Sequence, residues 1–196
     1  MKTLAPKGAW LAGRAALALL VATCSTLRPT RSASTADVKD TAAWDTVYRV
    51  LQHPRCLNCH PVGDRPLQGE DSHVHAQNVQ RGPDGKGLFA MRCDACHQTE
   101  NLAGAHLPPG APNWHLPEPG MPLVFEGRSS SELCRQLRDP AQNGGRTPDE
   151  LLHHMAEDAL VLWGWNPGEG RQPIPIPHEE LVTALRSWIA GGCDCP

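Results

Sequence analysis

Residues 56–60 read Cys56-Leu57-Asn58-Cys59-His60 and residues 93–97 read Cys93-Asp94-Ala95-Cys96-His97, so the pattern C-x-x-C-H occurs twice in 196 residues. The spacing has a mechanical reason. Two thiols three residues apart can each add to one vinyl group of a haem, while the adjacent imidazole swings beneath the ring to bind iron. Cys56, Cys59, Cys93 and Cys96 are therefore the expected covalent attachment points of two haem c groups, with His60 and His97 as proximal iron ligands. One rival reading makes the four thiols a zinc site. The interval from Cys59 to Cys93 is longer than the zinc-ribbon pattern, and zinc gives no reason for a histidine directly after each pair. Another rival, a thioredoxin-like dithiol, calls for a βαβ setting, whereas an amphipathic helix and a Pro/Gly-rich loop flank the first pair.

Four helical patches surround these motifs. From Asp40 to His53, the residues Trp44, Val47, Tyr48 and Leu51 recur at helical spacing, and the stripe ends at Pro54, delivering the chain into Cys56. A second helix follows Ser129, which forms a capping box with Glu132, and stops before Pro140. Thr147, Pro148 and Glu150 supply cap, first-turn proline and box partner for a third, carrying Leu151, Leu152, Met155 and Ala159 and expected to end near Gly164. The last, His178 to Ala190, places Leu181, Ala184, Leu185, Trp188 and Ile189 on one face before Gly191 and Gly192. Between them, residues 104–124 hold six prolines and residues 166–177 hold four, so long stretches are ordered loop. Two phenylalanines, one tyrosine and six tryptophans are few rings for a core, which leaves room for a cofactor to fill the interior.

The amino terminus reads as an address. Lys2, Lys7 and Arg14 precede the apolar Ala15 to Val21, and Ala22-Thr23-Cys24 follows, a signal-peptide pattern over residues 1–24 with cleavage as late as residue 36. Residues 25–39 read as a flexible linker and 40–196 as the functional domain. Cys24 also resembles a bacterial lipoprotein acylation site, and acylation there is the one route this sequence offers to a membrane. After residue 24 the chain carries 15 of its 18 cations against 21 anions, a net charge of −6. That balance excludes a basic nucleic-acid face and favours small ligands or basic protein partners. Export fits an oxidising compartment, expected to be the periplasm, in which Cys134 pairs with Cys193 or Cys195 and staples the second helix to the carboxyl end.

With its two haem motifs, export signal, helix entering the first motif and closing amphipathic helix, the sequence resembles the dihaem c-type cytochromes of bacteria. The resemblance implies a mainly α, compact cytochrome c-like dihaem domain with long Pro/Gly-rich loops and few or no strands. It also implies that the first and last helices cross beside a haem. Only 37 residues separate the two motifs, so the haems share one domain rather than two modules in series. The runs 53–61, 78–82 and 108–115 are similar to small proteobacterial cytochromes labelled as isoquinoline 1-oxidoreductase subunits. That label implies service to a periplasmic molybdenum hydroxylase, and the wider family implies electron transfer between a dehydrogenase or hydroxylase and the respiratory chain.

Each iron needs a sixth ligand if it only carries electrons; an open position permits chemistry on small molecules. His75 ranks first among the candidates, then Met121 in Gly120-Met121-Pro122, then His115 beside Trp114. His73 and His106 are weaker. His154 is balanced between ligand and buried histidine, His153 points outward, and His178 is read as a helix cap. The alternative of a small peroxidase-like dihaem enzyme would need an acid-base group over an open iron, a role for His115 or Glu118.

Overall fold

An apolar stripe at helical period starts the fold. In α1 (Thr35–Leu51) the side chains of Trp44, Val47, Val50 and Leu51 are all buried. The computed structural model describes residues 35–196; the signal peptide, its cleavage point, Cys24 and residues 25–34 of the expected linker lie outside them. Helix α1 begins five residues before its stripe, so residues 35–39 are helical rather than linker. Its other end falls at Leu51, not His53. There His53 caps a new one-turn helix, α2 (Pro54–Leu57), its Nδ1 accepting the Arg55 N–H at 3.2 Å, with Pro54 at the first position where its missing N–H costs nothing.

Helix α3 (Ser130–Arg138) and helix α4 (Pro148–Glu157) both open on the capping boxes legible in the sequence, Ser129 with Glu132 and Thr147 with Glu150. Helix α4 stops at Asp158 rather than near Gly164. The Asp158 Oδ1 accepts the Leu160 N–H at 2.8 Å and caps a separate turn, α5 (Ala159–Leu162), before a 3-10 turn at Trp163–Trp165. The closing helix α6 (His178–Ala190) has the expected bounds and packs on α1, with Trp44 and Trp188 ring centroids 5.1 Å apart. His178 does not cap it: Pro177 occupies the cap, and the His178 Nε2 bonds the Met155 carbonyl at 2.9 Å, tying α6 to α4. The result is mainly α, with a core of Trp44, Leu133, Leu151, Leu181, Leu185 and Trp188 between α1, α3, α4 and α6.

The segment between the motifs carries two small antiparallel hairpins. β1 (Leu67–Gln68) pairs with β2 (His73–Val74), and β3 (Gly87–Leu88) pairs with β4 (Met91–Arg92), which runs directly into Cys93. Gly85 has φ +73°, and a Cβ there would lie 2.0 Å from the Leu116 carbonyl oxygen, so only glycine lets these loops close together. Arg81, fully buried, holds the same region: its guanidinium donates to the carbonyls of Pro117 and Gly63 and to Asp64 at 2.5, 2.7 and 3.2 Å. Of the two pairings left open by the sequence, Cys134 bonds Cys195, and Cys193 is a buried free thiol.

Candidate functional site

The first motif lines a cavity of about 420 Å³, within the range of roughly 300–1,000 Å³ usual for cofactor sites. Helix α2 presents Cys56, and the turn after it presents Cys59 and His60. Val47 and Leu51 of α1 and Leu185 of α6 supply apolar wall, so the first and last helices do meet beside this site. Both thiols are free, and desolvation pushes Cys56 up to about 12 and Cys59 up to about 11. Thiols so reluctant to ionise do not suit dithiol exchange. Among the described residues, no group of three or more His, Cys, Asp or Glu is placed to hold a metal ion.

His60 is oriented from behind. Its Nδ1–H donates to the Leu123 carbonyl at 2.7 Å, and its ring stacks on Phe125 at 3.8 Å with planes 10° apart. Burial lowers its pKa to about 4; the Leu123 bond opposes this weakly, and His154, Arg81 and Arg146 add repulsion. The imidazole is therefore neutral at pH 7, with Nε2 left as the lone-pair nitrogen, the form in which histidine binds a metal. The same cavity is lined by His115, Met121, His154 and Met155, so two of the three ranked sixth-ligand candidates gather here. Glu118 is also on its rim.

Arg55 tests the fit for an acidic cofactor. Its side chain is only 3% exposed and lines the cavity, yet Nε makes no hydrogen bond. Nη2 lies 2.5 Å from Glu70 Oε1 as an ion pair, but at an angle that forms no hydrogen bond. A buried guanidinium with unused donors beside a cavity suits a ligand with carboxylate edges, as haem has through its propionates.

The second motif is built differently. Cys93 is buried at the end of β4, Cys96 is exposed, and His97 Nδ1 donates to the Pro109 carbonyl at 2.8 Å while its ring stacks on Trp114 at 4.4 Å. Gly110 makes this possible, because a Cβ there would sit 2.0 Å from the Glu100 carbonyl oxygen and push the Pro109 loop away. Opposite His97 stands His75, placed by the β1–β2 hairpin, with ring centroids 6.3 Å apart and Nδ1 buried without a partner. Two imidazoles on opposite sides of one metal, each bonded at about 2.0–2.1 Å, have centroids about 6 Å apart. The pair therefore has the spacing of a two-histidine iron site.

The remaining histidines stand apart. His73 bonds Asp71 and Gln68 at the surface, His106 lies against Gly170, and His153 is exposed beside Glu157. Sequence reading missed Arg55, Phe125, Arg81 and Asp158; of these only Asp158 carried a signal, its i,i+4 spacing from His154. Comparisons with protein-family models, curated proteins and solved structures returned no match.

Proposed function

We propose that this protein carries single electrons in the periplasm through two covalently held c-type haems. The observation that carries the reading is the repetition of one arrangement: two free thiols, then a histidine whose Nδ1 is tied to a backbone carbonyl and whose Nε2 is left available. Bound haem would supply a reversible one-electron iron couple. Cys56 and Cys59 would attach one group and Cys93 and Cys96 the other. His60 and His97 would hold the irons from the proximal side, with His75 completing the coordination opposite His97. Arg55 would face the acidic edge of the first group. Cys93 is close enough to Cys59 to disfavour its ionisation, which supports a short path between the two sites.

The acidic surface favours a basic partner, for which a dehydrogenase or molybdenum hydroxylase is the proposed donor, passing electrons toward the respiratory chain. No helix among the described residues is long and apolar enough to cross a membrane. His115 and Glu118 on the cavity rim also favour a second reading, a small peroxidase-like enzyme. A redox titration with optical detection separates them: two reversible one-electron steps and no spectral response to peroxide support the carrier, while a high-spin iron that reacts with peroxide supports the enzyme.

A further inference from the structure

The first cavity is lined by His115, Met121, His154 and Met155 as well as His60, and the elements that carry them differ. His154 projects from α4, whose position is fixed by its capping box and by buried Leu151 and Met155. Its Nδ1 lies 3.2 Å from Asp158 Oδ2, and Asp158 is itself held, since Oδ1 caps α5 through the Leu160 N–H at 2.8 Å. One Asp158 oxygen thus fixes the carboxylate through α5, and the other stands at ion-pair distance from Nδ1, so Nε2 is the ring nitrogen without that partner. Both residues line the cavity. A carboxylate behind a histidine is the common outer-shell arrangement of metal-bound imidazole, which fixes the ring and raises its basicity. His115 is likewise tied at Nδ1 to a backbone carbonyl, that of Asn113, but it stands on a proline-rich loop rather than on a capped helix, and Met121 follows Gly120 on the same stretch.

We infer that His154, positioned by Asp158, is the sixth ligand of the iron held by His60, making this site a two-histidine site like that of His75 and His97. The inference deepens the dihaem reading and stands only with it. His154 is also close enough to His60 for their charges to interact. The sequence leaves His154 balanced between ligand and buried histidine; the placement of Asp158 tips that balance.

The test uses the full chain matured with covalent haem, and haem per chain is counted in every preparation. Missing haem in the wild type would count against the dihaem reading; two haems with an unaltered iron signal in the variants would count against this inference alone. Oxidised wild-type protein is expected to show two low-spin ferric species in electron paramagnetic resonance and no methionine-to-iron charge-transfer band. His154→Ala is expected to turn one of the two irons high-spin, with added imidazole restoring it. Should that variant lose a haem during maturation, His154→Met carries the test: a new methionine band and a raised potential for one iron support the assignment. Asp158→Asn is expected to keep both irons low-spin while raising one potential, because the imidazole becomes a weaker donor. A methionine band in the wild type overturns the inference. So does a His154→Ala or His154→Met variant with wild-type spectra, or a high-spin iron that appears with Met121→Ala or His115→Ala instead.

Discussion

Burial keeps His60 neutral, the form that the proposed iron site would need. Its pKa falls from 6.5 to about 4, so between those values the unfolded chain binds a proton that the folded chain refuses. Stability from this group is complete above pH 6.5 and is lost as pH falls toward 4. His53, His75, His97 and His154 are shifted in the same direction, chiefly by desolvation, and the proposed iron ligation would act the same way because only neutral imidazole binds. Denaturant midpoints should therefore fall steadily from pH 6.5 to 4; a flat profile would contradict the buried, neutral placement. Arg55 gives a second prediction at this scale. A buried cation disfavours the more positive ferric state, so Arg55→Gln should lower the potential of one iron in a redox titration, with the other unmoved. Neither effect was legible in the sequence, because a histidine or arginine shows its type there but not its solvation. The motif cysteines and histidines were legible because their chemistry depends on spacing along the chain.

At the scale of elements, local signals transferred well wherever the deciding interaction was itself local. The boxes Ser129/Glu132 and Thr147/Glu150 fix two helix starts because cap and partner lie three residues apart. Helix ends were harder: α4 stops at Asp158, whose carboxylate serves both the next turn and His154, a division of labour that periodicity does not record. The hairpins are two residues per strand, too short for alternation to show, yet they carry His75 to His97 and deliver Cys93. The Cys134–Cys195 bond closes a span of 61 residues from α3 to the carboxyl end. Cys134→Ser should reduce unfolding stability by roughly 2–5 kcal/mol by the usual loop-entropy and strain balance, read by chemical denaturation. Haem content should be unaffected, because neither cysteine lines the cavity.

The whole molecule divides by what fills it. Around α1, α3, α4 and α6 protein side chains make a core of their own, with Trp44 and Trp188 at its centre. The sparse aromatics suffice there, and the room they leave for a cofactor lies beside this core, in the cavity of the first motif. The region between the motifs is different. Among the described residues, seven of the eight large apolar side chains left exposed fall between Val62 and Leu107, with Phe89 fully exposed. That concentration places the unmet apolar surface beside the second motif, where a haem or a docked partner would cover it. Hydrogen exchange should therefore show α1 and α6 protected in a variant lacking all four motif cysteines, while residues 62–124 exchange freely until haem is attached. Equal protection in both forms would mean that the cofactors do not organise this region. The central claim is tested most directly by a pyridine haemochrome assay combined with intact mass, on protein expressed alongside the c-type maturation machinery. Two covalent haems per chain are expected, falling to one when either Cys56 and Cys59 or Cys93 and Cys96 are replaced by alanine; a colourless chain at its unmodified mass would overturn the dihaem reading.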